Sequence, residues 1–582
     1  MAKISVEQIK RQSRGLRGAI AETLASRASH FEEAELQLLK FHGTYQQDDR
    51  DKRSELRKQK LDKAWSFMTR TKMPGGRITA RQYLAHDNFA DRLANGTLRL
   101  TTRQGIQFHG VLKGDLKALI AGIDEVGLTT YGACGDVVRN TMAPVAAIAD
   151  AVHEDAQALA TEISDAFLPR SCAYSEIWLD GEKLDPPGGA NDEEQVEDPI
   201  YGRVYLPRKF KIGIAIPPSN DIDIYSQDLG LVPHVVEGAL EGYTILIGGG
   251  FGMSHGKSET RPHLAKPIAY VIRRDVVGVI KTIVKIQREY GNRKNRKQAR
   301  MKYLVASAGI PWFRNAIVQR NEATLHPPRE FHFESVADPL GWHEQGDGKH
   351  FLGVYVPQGR IRDHESGPRA QSAFREIATT LDCPIRITAN TNILFHDIEN
   401  EEKAQVDAIL AKHGVAPAES LTEIRKTAIA CVSLPTCGLG LAESERVFDD
   451  VLDKIDDVLR DLSLESEPIL IRMTGCPNGC ARPYNADIAF VGRAPKKYAM
   501  YVGGSIRGDR LAGLEEKVVT EEEIPGRVRK LLEDFAANRV EGELFSDYLG
   551  RVRELAAEPG SEQFHLELTD RAGATESIAS GI

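Results

Sequence analysis

The sequence predicts an α/β (α+β) fold built by duplication, with a redox or metal site between the halves. Three observations predict it: an internal repeat kept in order over three blocks, strand-like text alternating with amphipathic helical text, and four cysteines gathered into two short loops. At 582 residues the chain is too long for one core, so roughly two to four domains are expected.

The repeat comes first because it sets the architecture. LRLTTRQGIQFHG (98–110) aligns with IRITANTNILFHD (385–397), matching Arg99 with Arg386, Thr101 with Thr388, Ile106 with Ile393, Phe108 with Phe395 and His109 with His396. Upstream of each block lies a similar turn, PGGRI (74–78) and PQGRI (357–361). Downstream, GYTILIGGG (242–250) echoes KYAMYVGGS (497–505). A two-part unit has been copied.

Residues 1–66 are charged and helix-prone, with the polar stretch GTYQQDDRDKRSELRKQK near their end, and predict a wrapping arm. Strand-like text begins at Phe67. The stretch LDPPGGANDEEQVEDP (184–199) has turn formers and acids without an apolar period, so it predicts a surface loop, and the tail after Pro559 predicts a frayed end.

The four clustered cysteines read C-x5-C (Cys431, Cys437), a 38-residue gap, then C-x3-C (Cys476, Cys480). The first loop precedes a helix on which Phe448, Val451, Leu452, Ile455, Val458, Leu459 and Leu462 recur at helical spacing. The second follows the apolar run PILIRM (468–473), and Asn478-Gly479 is expected to supply left-handed backbone. Thiolates suit zinc or iron–sulfur clusters. Structural zinc favours C-x2-C brackets, so this spacing points to a cluster, with structural zinc in a non-catalytic protein as the competing reading. Cys134, Cys172 and Cys383 have no partner by spacing and read as small buried residues.

Basic residues mark a second feature. In LPRKFKIGIAIPP (206–218), strand period puts Lys209 and Lys211 on one face. In LRLTTRQGIQFHG, Arg99, Thr101, Arg103, Gln107 and His109 line one face around a bend at Gln104-Gly105 and suit carboxylates or oxyanions. Arg70 precedes the turn KMPGG, Arg139 sits in CGDVVRN, and Lys302 ends a basic stretch from which it is expected to reach inward.

Bulk charge excludes some classes. With 75 Lys+Arg against 83 Asp+Glu the net charge is −8, which gives no global reason to bind nucleic acid or a membrane surface. No apolar run approaches the ~18 residues that span a bilayer. The basic opening lacks a secretory apolar segment, and seven cysteines is too few and too local for a secreted disulfide scaffold, so a reducing cytoplasm is expected.

These motifs together carry a resemblance. RMTGCPNGCARPYNADIAFVG, FHGTYQQDDRD, SFMTRTKMPGG, LRLTTRQGIQFHG, CGDVVRN and LPRKFK closely resemble, in order, the signatures of the sulfite and nitrite reductases that carry sirohaem and a [4Fe–4S] cluster. The resemblance covers about residues 35–555. It implies a duplicated sulfite/nitrite-reductase fold, with ferredoxin-like half-domains and two larger α/β domains around a central cofactor. The expected division is an arm (1–66), a first half-domain (67–131), an α/β domain with the basic strand (132–335), a second half-domain (336–418) and an α/β domain carrying the cysteines (419–582).

The resemblance also implies roles. Cys431, Cys437, Cys476 and Cys480 would ligate the cluster, and Cys480 would be the proximal ligand of the sirohaem iron. Arg70, Arg139, Lys209 and Lys211 would grip the substrate anion. Arg99, Arg103, Gln107, His109 and Lys302 would hold the sirohaem carboxylates. Gly479 fits the sulfite branch, where nitrite reductases usually carry Ser; Gly438 stands where Pro is commoner, with both thiolates kept. The expected activity is assimilatory six-electron reduction of sulfite to sulfide for cysteine biosynthesis, with nitrite as the runner-up substrate. No dinucleotide fingerprint stands out, since LIGGGFGMSHG lacks the full G-x-G-x-x-G pattern, so electrons would come from a separate protein. KFHGTYQQDDRD resembles the form fed by an NADPH-dependent flavoprotein; GWHEQGDG and CARP resemble the ferredoxin-dependent form. The flavoprotein is the expected donor.

Overall fold

The computed structural model describes residues 4–170, 177–179, 182–184, 197–560 and 564. Cys172, most of the acidic loop expected at 184–199 and nearly all of the tail after Pro559 lie outside the described residues.

Four main sheets carry the duplication. The first runs Thr44–Asp48, Trp65–Arg70, Ile106–Val111, Leu98–Leu100, Arg360–Ile361 across its width. The second runs Gly341–Glu344, His350–Val354, Ile393–Ile398, Ile385–Ile387, Arg77–Ile78. Each ends on a two-residue strand donated by the other repeat: Arg360 pairs with Arg99, and Arg77 pairs with Arg386. The matched turns PGGRI and PQGRI are therefore the exchanged edges, which block the open edge each sheet would otherwise expose. The exchange also merges the cores. Phe67 and Phe108 from one repeat and Phe374 and Phe395 from the other are fully buried in a single cluster, each worth about 1.5–3 kcal/mol of burial. The first sheet also takes its outer strand, Thr44–Asp48, from the segment expected to be only a wrapping arm.

The other two sheets repeat one another more deeply than the sequence does. One runs Ile212–Ile214, Leu229–Val236, Ala239–Ile247, Lys266–Ile272. The other runs Ile429–Ala430, Ile471–Thr474, Ile488–Ala494, Lys497–Val502, Gly513–Thr520. In both, a parallel pair leads into an antiparallel hairpin. Asp228 and Asp487 hold equivalent corners: each accepts a backbone N–H by Oδ2 at 2.9 Å, from Lys211 and from Leu470. Each also accepts by its carbonyl, from Gly248 and from Gly503.

The helix expected after the first cysteine loop spans Glu445–Leu462 and buries Phe448, Val451, Leu452, Ile455, Val458 and Leu459, while Leu462 packs at the margin. It packs with the helix Ile524–Asn538 in one core. That core and the two loops it supports form the floor of the site.

Candidate functional site

Four cations converge where the first sheet meets the segment 206–215. Arg139 is fixed between the two lysines, because its backbone N–H donates to Phe210 O at 2.9 Å. Its side chain donates to Ala133 O and to Cys134 Sγ, both at 3.1 Å. Arg70, at the end of its strand, donates to the same sulfur at 2.6 Å. Regular strand begins only at Ile212; Lys209 and Lys211 flank an isolated bridge at Phe210 instead of standing on a continuous strand. They stand close enough for the charge of Lys209 to press on Lys211. Burial lowers the Lys209 ammonium pKa to about 7, reinforced by Arg139, Arg208 and Arg300. Lys211 is also depressed well below the ordinary lysine value, by burial and then by Lys209, Arg103, Arg300 and Arg139. Among the described residues neither Nζ donates to a protein acceptor. Half-buried ammonium groups without a counter-ion are costly, so the pair Lys209 and Lys211 suits an anion.

Cys134 belongs to this pocket, which its expected role as a small core residue did not include. Burial alone would raise its thiol, but Arg139 and Arg70 outweigh that and bring it down to about 7. The motif CGDVVRN already held both Cys134 and Arg139; what it could not show is that Arg70 folds onto the same sulfur.

Beside the pocket, Arg70, Gln107, Arg99 and Arg360 stand in register on four adjacent strands. With its amide oxygen turned to Arg70, Gln107 accepts from Nη2 and, at 3.0 Å, from Nε. Its amide nitrogen then stands 3.3 Å from His109 Nε2, which accepts. Burial holds His109 neutral, so Nδ1 carries the proton, and that buried Nδ1 has no partner in the protein. Arg103 turns at the predicted bend, where Gln104 has φ +51°. It donates to Gln227 Oε1 at 2.8 Å and to Ile212 O at 3.1 Å, while its buried Nε is unpartnered. Two orphaned donors thus face from this hairpin.

Arg99 and Lys302 are placed differently. Arg99 donates to Glu445 Oε2, Leu100 O and Ala430 O at 3.2, 2.6 and 2.9 Å, joining the first sheet to the cysteine-bearing region. Lys302, only 1% exposed, donates to Gly250 O at 3.1 Å, to Gly252 O at 2.9 Å and to Arg261 O. It thereby fastens the glycine-rich stretch 246–256, which packs on the second cysteine loop through Met253 N to Pro477 O at 2.9 Å.

The two cysteine loops meet. Gly475 N and Thr474 Oγ1 donate to Cys431 Sγ at 3.3 and 3.4 Å, and Asn478 Nδ2 reaches Cys476 Sγ at 3.5 Å. Gly479 has φ +64°, while Asn478 stays out of the left-handed region and serves through its side chain. No side chain fits at Gly475: a Cβ would lie 1.8 Å from Ser433 Oγ and 2.6 Å from Ala442 O. Burial raises the thiols of Cys431, Cys437 and Cys476, and the sulfur of Cys480 raises all three again. Lys209 in turn lies within electrostatic reach of Cys480, which ties the cation pocket to the loops. Among the described residues no three His, Cys, Asp or Glu side chains stand as a ready cage for a single ion.

The profile of the nitrite and sulphite reductase 4Fe-4S domain matches residues 160–325 and 430–575. That of the nitrite/sulfite reductase ferredoxin-like half domain matches 60–126 and 343–413. The chain belongs to the nitrite and sulphite reductase family. Curated members of this family include the sulfite reductase [NADPH] hemoprotein beta-component of Staphylococcus haemolyticus, 44% identical over 562 residues, covering 96% of this chain and 97% of that one. The same component of Methylobacterium nodulans is 43% identical over 575 residues, covering 98% and 94%. In fold, the chain is similar to the Mycobacterium tuberculosis NirA protein, with a TM-score of 0.75, 21% identity, and coverage of 96% and 97%. The duplicated family fold expected from the sequence is the one observed.

The residues fit the family's cofactors. All four cysteines fall within a match to the 4Fe-4S domain, which favours a cluster over structural zinc. Like-charged sulfurs that destabilise one another as thiolates are what a positive iron core relieves. The orphaned donors on Arg103 and His109 suit the carboxylate rim of a sirohaem.

Proposed function

We propose that this protein is an assimilatory sulfite reductase haemoprotein that reduces sulfite to sulfide, with six electrons and six protons and release of three waters. The observation that carries this is the gathering of Arg70, Arg139, Lys209 and Lys211: the two arginines meet on the Cys134 sulfur, while the two lysines have no acceptor among the described residues and Lys209 lies within electrostatic reach of Cys480. Cys431, Cys437, Cys476 and Cys480 would hold one [4Fe–4S] cluster, and Cys480 would also hold the sirohaem. When bound, they supply single-electron transfer to the substrate sulfur. Arg103, Gln107 and His109 bind the sirohaem rim. Arg99 and Lys302 act on that rim through the elements they fasten. A separate NADPH-dependent flavoprotein delivers the electrons, in the cytoplasm; no helix among the described residues is long and apolar enough to cross a membrane. For the domain division we keep the sequence expectation as a proposal, with half-domains 67–131 and 336–418 whose edge strands Arg77–Ile78 and Arg360–Ile361 are exchanged.

The chain's own residues divide the work. Arg70 and Arg139 bind and orient the oxyanion through their planar guanidinium forks. Lys209 and Lys211 bind it and pass protons to its departing oxygens, because depressed ammonium groups give up protons readily near neutrality. The tests are direct. Sulfide production should be supported by the purified flavoprotein with NADPH, and failure there with success from reduced ferredoxin would sink the donor assignment. With one artificial donor, a kcat/KM for nitrite far above that for sulfite would overturn the substrate.

The Lys209 shift sets a pH limit. A lowered folded pKa leaves the ammonium protonated below about 7 and neutral above it. The groups that hold it there are Arg139, Arg208 and Arg300, with Lys211 beside it, opposed by the Cys480 sulfur. We expect kcat/KM for sulfite to fall as pH rises through about 7. In Lys209→Arg, which keeps the charge without titrating, that descent should flatten; an unchanged descent would remove Lys209 from proton delivery.

A further inference from the structure

The segment between the first strand and its following helix reaches across to the first cysteine loop. Arg50 lies 387 residues before Cys437 in sequence, yet its Nη1 donates to Cys437 O at 3.1 Å and to Gly440 O at 2.5 Å. Its backbone N–H donates to Pro435 O at 3.1 Å. The segment is itself held on both sides. Asp48 takes a bidentate bond from Arg53 at 2.5 and 2.7 Å, and Asp51 accepts from Arg446 at 2.6 Å. The loop it clasps needs such support on its outer side, where Gly438 and Leu439 face solvent, Leu439 at 66% exposure.

We propose that Arg50 is a positioning residue for the cluster: it fixes the Cys437 corner from outside the loop, and its charge raises the cluster's reduction potential. The inference rests on the reading that the four cysteines hold a [4Fe–4S] cluster. One guanidinium nitrogen bridging two carbonyls makes charge-assisted bonds that lock the turn between Cys437 and Gly440. A fixed positive charge beside an anionic cluster favours the reduced state, and hydrogen bonds and charge around the ligands are the protein's levers on such potentials. Lysine would keep the charge but lose the planar fork; glutamine would lose the charge.

The experiment compares purified holoenzyme with Arg50→Lys and Arg50→Gln. It measures iron and acid-labile sulfide per chain, the cluster midpoint by EPR-monitored titration, and the rate of iron release to a chelator. Arg50→Gln should show a more negative midpoint and release iron roughly tenfold faster, the scale of a lost charge-assisted bond. Arg50→Lys should keep a midpoint near that of the wild type, with release between the two. An Arg50→Gln protein that folds but loads no cluster, beside a loaded Arg50→Lys, would support the same role. Wild-type midpoint and release rate in Arg50→Gln would overturn it. So would loss of fold in both variants by circular dichroism, since a positioning residue leaves the apoprotein fold intact. A wild-type holoenzyme lacking any cluster signal would instead overturn the cluster reading itself, and Arg50's role with it.

Discussion

Lys211→Ala is expected to lower sulfite turnover by about 10²–10³-fold, the scale for removing one electrostatic contact from a dry site, and to leave the cofactor absorption spectrum unchanged. Lys209→Ala should behave alike. The structural reason is the isolation of these ammonium groups: both are depressed chiefly by burial, and both are pressed by neighbouring cations. Their protonation is favourable only when an anion enters. The same argument makes a second expectation that separates function from folding. An ammonium group with no acceptor in the protein adds no hydrogen bond to the fold, so the melting temperature of either variant should hold. Loss of the cofactor spectrum would place the lysines around the sirohaem, and a melting temperature several degrees lower would show that they brace the fold.

The chemistry of this site was more legible in the sequence than its assembly was. C-x5-C and C-x3-C predicted two thiolate brackets, and the helix behind the first is present with the expected buried face. The row Arg99, Arg103, Gln107 and His109 was visible from strand period, together with its bend at Gln104. Three things were not visible, each because it depends on contacts between distant segments. Strand exchange between PGGRI and PQGRI is a pairing between repeats, and a repeat alone specifies similar units without saying which edges they trade. Cys134 had no partner by spacing because its partners are guanidinium groups, one of them 64 residues away. Lys209 and Lys211 were assigned to one face of an assumed strand, but regular strand starts only at Ile212, because the backbone here is pinned by Asp228 and the Phe210 bridge and not by a continuous ladder.

The exchange of strands has an energetic consequence at Glu445, and Glu445→Ala is expected to cost about 3–5 kcal/mol, the range for stripping one partner from a buried ion pair. Its carboxylate, in the first turn of the long helix, accepts from Arg99 of one repeat at 3.2 Å. It also accepts from Arg360 of the other, at 2.7 and 3.1 Å. The side chains are 15%, 4% and 12% exposed for Glu445, Arg99 and Arg360, so both guanidinium groups would be left charged and poorly solvated. A single carboxylate thus fastens the exchanged edge to the region that carries the cysteines. Against the cost of burial, Arg360 and then Arg99 hold its pKa at about 2, below the ordinary 4.5. A depressed folded pKa contributes stability that is fully present above the unfolded value and is lost as pH falls from about 4.5 towards 2. On these values the contribution is ~3 kcal/mol. Melting temperature against pH for the wild type and for Glu445→Ala checks both statements. The two curves should approach one another as the medium is acidified through that window. Parallel curves would mean that the Arg99–Glu445–Arg360 bridge adds nothing to the folded state.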